Sequence, residues 1–552
     1  VPLILYNAFP RSYSNIVELI DHLQEIKRMG FNSVWINPFQ RCRENDSSLF
    51  EKSDKVSGIK DKNWMTGSIY AMTDESRIAS FWSTNDKDTD VQQVQALTAE
   101  AKRLGLCMMF DLVLNHVASN AEIVQQHPEW FHAPKPPFID AAEFNLEKES
   151  IRREIIENFW KPYIYKYIVE YGFTGIRVDA VGHADPELQA ELLEYANGLS
   201  IKHHGKKITT LGELLFSGSG ADNPIHKLTD AGASYTYITN SIYYGDSSSF
   251  DGAIQSLPDW SNSEMGEKRP LSLLGTIGFS GNHDETTLLM SMLMRLAFSE
   301  LKDKREMVDD WKTNAMKAYP IVQSYLEKIN ADIKDEAFFL MINKMMKEHL
   351  ATVAFASCGG YYLLCGDEYG SPHSKGVFER EDGSPVYESG GGPQGQFGGV
   401  VNITDFVRGV NSTLEMLSEP ESMYWYEIFY PGHAYDPDRD LRVIIRHNVK
   451  SPPHNVEVVI ANTGDQCHEV TLELLQDVCM QSRALREASI DASKVKVHFV
   501  GNVTSSLHLA HNEVARSPLP ILASYDKDTP SVSGGTSVEV AATQPGYKPG
   551  GS

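Results

Sequence analysis

The chain of 552 residues carries 50 Lys plus Arg against 74 Asp plus Glu, a formal net charge of −24 at pH 7. A balance this negative argues against nonspecific binding to phosphate backbones or anionic lipid, both of which need clustered positive charge, so neither nucleic acid nor membrane is an expected partner. With 41% hydrophobic and 22% charged residues, the composition is that of a globular protein long enough for a large core.

No run of about 18 apolar residues is present to span a membrane. Val1-Pro2-Leu3-Ile4-Leu5 has neither a basic flank nor a small-residue cleavage site, so no signal peptide is read there. The compartment stays open between cytoplasm and secretion. Six cysteines without a CxxC pair speak against a zinc ribbon or a disulfide scaffold. Cys107 and Cys365 lie in apolar runs and read as buried, inert thiols.

In chain order, β-type apolar runs alternate with helical patterns. Leu3–Tyr6 reads as a strand; Ile16, Leu19, Ile20, Leu23 and Ile26 then recur at helical spacing up to Gly30, and Ser33–Asn37 is the next strand. A helix over Val91–Leu104 leads into the strand Leu106–Leu114, and a long helix over Ile151–Tyr171 into Gly175–Asp179. Pro186–Asn197 is helical and Ile208–Glu213 a strand. Ser272–Gly281 is a further strand, and a helix over Met341–Ser357 precedes the strand Tyr361–Cys365. Near-continuous apolar strands separated by helices predict a parallel sheet covered on both faces. A count near eight favours a closed (β/α)8 TIM barrel over residues 1–430, within the α/β class.

Three insertions stand out: Val117–Ser150, with the cluster Trp130, Phe131, Pro134, Pro136 and Pro137, the charged stretch Ser299–Glu336, and the Gly-rich stretch Gly376–Val400. The first is the short insertion after the third strand, 117–150. Over 431–525 short β-spaced runs (Leu441–His447, Val456–Ala461, Glu469–Leu474, Val495–Val500) have no helices between them and predict a C-terminal antiparallel β-domain. Residues 526–552, rich in Gly, Ser, Thr and Pro, read as a flexible tail.

The polar residues cluster where strands end: Asp111, Asn115 and His116 in Asp-Leu-Val-Leu-Asn-His, Arg177 and Asp179 in Gly-Ile-Arg-Val-Asp, Glu213 in Leu-Gly-Glu, and His283 and Asp284 in Phe-Ser-Gly-Asn-His-Asp. In a parallel barrel those ends meet at one face, where unpaired charge is costly to desolvate. Such a set of carboxylates suits glycosidic cleavage, which needs a nucleophile and a proton donor on either side of the anomeric carbon. Arg177 and Asp179, two apart, share one side of their strand, so Arg177 can aim the Asp179 carboxylate. Glu213, near other acids, is expected to hold its proton to high pH and act as general acid.

These four runs, in this order, resemble the four motifs of the α-amylase family, glycoside hydrolase family 13. Carried over residue by residue, the resemblance implies Asp179 as nucleophile, Glu213 as acid/base and Asp284 as transition-state stabiliser. It implies Arg177 beside the nucleophile, His116 and His283 on sugar hydroxyls, and Asp111 as the structural acid. Gly67-Ser68-Ile69-Tyr70 resembles the segment that carries the sugar-stacking tyrosine, Tyr70, and Gly366–Gly370 the ending of the eighth strand. The family's usual continuation after that tyrosine is replaced, with Ser80 where a proline would stand.

Asn115 and the backbone of His183 match calcium-associated positions, so a structural calcium is a candidate and no other cofactor is required. The implied activity is a retaining α-1,4-glucan hydrolase on glycogen, starch or maltodextrins. The alternative is an α-glucan transferase using the same residues, a reading supported by the resemblance of His127–Phe131 to the insertion of maltosyltransferase-like members. A binding module with a dead site is a third reading, disfavoured by the complete triad. Trp35, Trp130 and Phe131 are candidate sugar-stacking walls. Oligomeric state, glucan length and endo or exo action are not legible.

Overall fold

The computed structural model describes residues 2–42, 68–133, 141–214 and 233–238, most of 275–292 and 336–371, and residues 401–417. In the C-terminal region it describes 424–429, most of 440–470 and 495–505, and the strands 522–524 and 536–541. Most of the charged stretch 299–336 and all of the Gly-rich stretch 376–400 lie outside the described residues.

Eight strands make one parallel ring: β1 (Leu3–Ala8), β2 (Ser33–Ile36), β3 (Cys107–Leu112), β4 (Gly175–Val178), β5 (Thr209–Leu214), β6 (Tyr235–Ile238), β7 (Gly278–Phe279) and β8 (Gly360–Leu364). The hydrogen-bonded order is β6-β5-β4-β3-β2-β1-β8-β7. Closure between β7 and β6 falls to Thr236, whose N–H donates to the Gly275 carbonyl at 2.9 Å and whose carbonyl accepts from Ile277 N–H at 2.9 Å. The expected TIM barrel is therefore the observed fold. The strand read over Ser272–Gly281 is shorter than expected, and β6 is a strand that the aliphatic pattern did not reveal.

Helices cover the outside. In α1 (Ile16–Arg28), Asn15 caps the first turn by accepting from Glu18 N–H, and Ile16, Leu19, Leu23 and Ile26 are buried. The other covering helices include α2 (Lys87–Arg103), a long helix over 149–170, α3 (Pro186–His204) and α4 (Glu336–Ala356). The long helix widens to a π repeat at Ile156–Trp160 and Lys166–Glu170, flanking Pro162, which has no N–H for the α-helical ladder. No described helix is long and apolar enough to cross a membrane.

Strand alternation divides the barrel interior into two levels. Leu3, Leu5, Trp35, Met109, Leu211, Tyr237, Ile277, Phe279 and Tyr362 form one buried apolar cluster, the floor. One step further along the inward-facing parity, polar residues replace them: Asn7 after Leu5, Asn37 after Trp35, Asp111 after Met109 and Glu213 after Leu211. On β4 the floor position is Gly175, where a Cβ would lie 2.4 Å from Met109 Cγ, so Met109 fills that space.

The insertion after β3 forms a hairpin, His116–Ala118 with Ala141–Glu143. Its aromatic residues turn inward. Trp130 is 2% exposed, donates from Nε1 to Glu154 Oε2 at 3.2 Å and is stacked by His127, while Phe131 packs on Phe144. Trp35 sits wholly in the floor. All three candidate walls are thus core residues, because apolar aromatic surface gains more from burial here than from facing a cleft. Cys365 is buried as expected, whereas Cys107 is only half-buried.

A C-terminal sheet follows: β9 (Tyr424–Phe429), β10 (Leu441–Asn448), β11 (Val456–Asn462), β12 (Val495–Val500), β13 (Leu522–Ser524) and β14 (Thr536–Ala541), ordered β9-β10-β11-β12-β14-β13. It is antiparallel apart from β11 and β12, which run parallel. Ile444, Val459, Ala461 and Val500 share the apolar cluster of Met346, Leu350 and Ala354 on α4, so the sheet docks on the barrel's helical coat. Arg442 Nε donates to Thr352 Oγ1 at 3.2 Å, and Lys344 Nζ lies 3.0 Å from Asp440 Oδ1 across the same contact. Within the stretch read as a tail, β14 is a strand paired with β12. Its Ser-Val-Glu-Val alternation supplies β propensity that the surrounding Gly and Pro content masked.

The β1–β8 seam needs glycine at one point. Gly360 has φ +111°, and a Cβ there would meet the Leu3 carbonyl oxygen at 2.2 Å. Gly360→Ala is expected to cost about 2–5 kcal/mol through strain and overpacking, read as a lowered urea midpoint against wild type.

Candidate active site

The polar level of the barrel centres on Arg177, which is 0% exposed. Its Nη1 lies 2.8 Å from Asp111 Oδ1, 3.0 Å from Asp111 Oδ2 and 2.6 Å from Asp179 Oδ1. Nη2 lies 2.6 Å from Glu213 Oε2. Nη2 and Nε also donate to the Tyr237 hydroxyl, at 2.9 and 3.3 Å. The register explains the convergence, because Arg177 pairs with Asp111 on β3, and Glu213 on β5 pairs with Tyr237 on β6. Asp179, just past β4, continues the ladder by donating its N–H to the Leu112 carbonyl at 3.0 Å. The guanidinium also lies over the Trp35 ring, 4.8 Å from its centroid, a cation–π contact with the floor.

Asp111 is the second hub. Oδ2 accepts from Trp35 Nε1 at 3.2 Å and from the Tyr70 hydroxyl at 3.1 Å. That hydroxyl accepts from Asn37 Nδ2 at 2.9 Å and sits 2.7 Å from His283 Nε2, while Asn7 Nδ2 donates to Asn37 Oδ1 at 2.8 Å. The Tyr70 and His283 rings stack with centroids 5.6 Å apart. His283 Nε2 lies 3.1 Å from Asp284 Oδ2, and the Asp284 carboxylate reaches the surface at 43% side-chain exposure. Glu213 Oε2 additionally accepts from Ala180 N–H at 3.0 Å.

Asp111, Arg177, Asp179, Glu213, Tyr70, His283 and Asp284 therefore form one contiguous network. His116 is placed on the loop after β3, where it opens the hairpin. Asn115, on the same loop, accepts Phe144 N–H with its carbonyl, and His183 is exposed in the turn after β4. Two donors fall short of the roughly six to eight oxygens of a calcium shell. Among the described residues, no three His, Cys, Asp or Glu side chains gather as a metal cluster.

One guanidinium faces three carboxyl groups, so not all three can ionise cheaply. Burial, with Arg177 opposing it and the charges of Asp179 and Asp284 adding to it, leaves the Glu213 carboxyl pushed up to about 7. Burial likewise raises Asp111 and Asp179 above the usual carboxylate range, with Arg177 opposing. Burial also acts on Asp284, but the charge and hydrogen bond of His283 outweigh it and hold that carboxyl below its ordinary value. A buried acid that keeps its proton near neutrality beside a carboxylate held by a cation is equipped for paired acid and nucleophile work.

Sequence reasoning did not find Tyr237, nor Asn7 behind Asn37. Both asparagines follow an inward apolar residue by two positions, a spacing that marks the same face. Asp367 and Glu368 are fully buried staples: Asp367 accepts from Ser280 Oγ at 2.6 Å and Leu288 N–H at 2.8 Å, and Glu368 from the Tyr6 hydroxyl at 2.6 Å.

Comparison with known proteins agrees with this architecture. Residues 11–155 match the family model of the glycogen debranching enzyme glucanotransferase domain. An α-1,4-glucan:maltose-1-phosphate maltosyltransferase of Picrophilus torridus is 25% identical over 274 residues, 46% of this chain and 39% of that protein. Alpha-amylase 2 of Schizosaccharomyces pombe is 23% identical over 294 residues, 48% of this chain and 44% of that one. The matches thus span less than half the length of these relatives.

Among solved structures, an Anoxybacillus α-amylase superposes with TM-score 0.51 at 14% identity, covering 84% of this chain and 87% of that one. A maltogenic α-amylase of Thermotoga neapolitana gives 0.50 at 15%, covering 80% and 82%. Fold and site together define a barrel enzyme of the amylase-like glycosidase and transferase class. The matches support placing the chain with the α-amylase family, glycoside hydrolase family 13.

Removing the central cation would leave its carboxylates uncompensated. Arg177→Leu is expected to destabilise the fold by about 3–5 kcal/mol at pH 7. Because Asp111, Asp179 and Glu213 are raised above the usual carboxylate range, they take up protons before pH 4, so the deficit should shrink there; denaturant midpoints of both proteins at the two pH values check this.

Proposed function

We propose that the chain is a retaining α-1,4-glucan hydrolase acting on glycogen, starch or maltodextrins. The observation that carries this reading is Arg177 holding Asp179 and Glu213 on adjacent guanidinium nitrogens, with Glu213 the group that keeps a proton near neutrality. In the first step an Asp179 oxygen bonds to the anomeric carbon as the glycosidic C–O bond breaks, and Glu213 gives its proton to the leaving oxygen. In the second, Glu213 takes a proton from water, the water oxygen bonds to the anomeric carbon and the Asp179 ester bond breaks. Asp284, with His283 and His116, orients the hydroxyls of the bound sugar, and Tyr70 stacks beneath it. The glucan is the one partner this reading requires.

A second reading, transfer to a sugar hydroxyl or to phosphate, is favoured by the glucanotransferase-domain match and the maltosyltransferase relative. Both routes share the first step and differ in what meets the intermediate. Timed products from maltoheptaose with and without phosphate separate them. Shorter maltodextrins alone support hydrolysis; lengthened oligosaccharides or maltose 1-phosphate support transfer.

Asp179→Asn and Glu213→Gln should each lower kcat by about three orders of magnitude or more with the fold intact by circular dichroism; near-normal turnover by either overturns the assignment. The acid must be protonated and the nucleophile ionised, so kcat/KM against pH should be bell-shaped. Its basic limb is set by Glu213 at about 7, and its acid limb lies above the usual aspartate range because Asp179 is raised.

A further inference from the structure

Tyr237 takes no part in the four motifs and lies in the floor of the barrel, yet it completes the coordination of Arg177. A guanidinium has five N–H donors in a fixed fork. Here the two on Nη1 meet Asp111 and Asp179, Nη2 divides between Glu213 and the Tyr237 hydroxyl, and Nε meets that hydroxyl alone. The edge made by Nε and Nη2 is the one a carboxylate would grip with both oxygens. A neutral hydroxyl occupies it, and burial keeps that phenol protonated far above neutral pH.

We propose that Tyr237 is a positioning residue of the site: by occupying the Nε–Nη2 edge of Arg177 it restricts Glu213 to a single contact with the cation and so leaves Glu213 a proton to donate. The register makes this local, since Tyr237 pairs with Glu213 across β5 and β6. Its ring is fixed from below by T-shaped contacts with Phe279 at 6.0 Å and Tyr362 at 5.2 Å, so the hydroxyl has a defined height. The groups facing Glu213 are Arg177 from β4, Asp179 and the Ala180 N–H just after it, Tyr237 from β6, His283 and Asp284 after β7, and Tyr362 from β8. Tyr237 is the one among them that shares the Nη2 nitrogen of Arg177 with Glu213. Without its oxygen, Nε–H and half of Nη2 lose their acceptor, and Glu213 is the acceptor next to them. Both the stronger positive potential and the freed donors favour the Glu213 carboxylate over the acid.

This inference rests on Glu213 being the acid/base, and the test separates the two. The pH dependence of kcat/KM on maltoheptaose is measured for wild type, Tyr237→Phe, Tyr362→Phe and Glu213→Gln. Phe keeps the ring that fills the floor, so Tyr237→Phe is expected to fold. Its basic limb should move toward acid by about half to one unit, giving a several-fold loss above pH 7 with little change near pH 5 and an unchanged KM. Tyr362→Phe removes an equally buried hydroxyl that does not contact Arg177, and its limb should stay in place.

Should Tyr237→Phe not fold, 3-fluorotyrosine inserted at position 237 weakens the same acceptor and should shift the limb in the same direction. A dead Glu213→Gln with an unmoved limb in Tyr237→Phe overturns this inference alone, as does an equal shift in Tyr362→Phe or a uniform loss at every pH. An active Glu213→Gln overturns the reading of the site itself.

Discussion

A single cation buried among acids organises this molecule. Arg177 has no solvent contact, and an isolated guanidinium there would be prohibitively costly to desolvate. It is tolerated because β3, β4, β5 and β6 each bring an acceptor to it, and those acceptors, themselves raised by burial, need the cation in return. The dependence is mutual and crosses four strands, so the site cannot be altered piecemeal: one group's protonation state is written into the geometry of its neighbours. The excess of acids over cations also gives the cluster its asymmetry: three carboxyls share one arginine, and Glu213 among them is raised to about 7.

What lies beneath strengthens this. The floor of Trp35, Met109, Tyr237, Phe279 and Tyr362 excludes water from one side of the cluster, which lowers the local dielectric and makes each contact above it count for more. The same strands that supply the floor supply the polar level by a two-residue step, so placing the chemistry takes little more than barrel geometry and alternation. That economy fits a fold shared at 14–15% identity with α-amylase structures: the layered interior persists while most of the sequence differs.

Much of this was legible in the chain. Aliphatic runs that stop abruptly at Asp111, Asp179 and Glu213 announce both a buried parallel strand and a polar end, and α1 shows a clear 3.6-residue period in Ile16, Leu19, Leu23 and Ile26. Strand β6 was not legible, because Tyr-Thr-Tyr-Ile is an alternation of aromatic and hydroxyl residues without an aliphatic run. Losing β6 meant losing Tyr237, one of the four groups that accept from Arg177. Register was also hidden: nothing in the sequence sets Tyr237 beside Glu213, since that pairing follows from the stagger of a closed barrel. Trp130 and Phe131 misled for a related reason, as a tryptophan in a proline-rich loop reads the same whether it faces a cleft or a core. The parallel pairing of β11 with β12 likewise depends on a crossover that short β-spaced runs do not disclose.

The seam between β1 and β8 has a consequence for how the molecule comes into being. Tyr6 and Glu368, hydrogen-bonded across it, are 362 residues apart, and Asn411 reaches back 382 residues to the Met29 carbonyl. A ribosome adding about 5–20 residues per second leaves the first strand without that neighbour for about 20–70 s. Throughout that interval one edge of an aliphatic strand stands open to any other extended chain. Nascent copies of this protein should therefore depend on chaperones that shield strand edges, and crowded overexpression should favour inclusion bodies over the closed barrel.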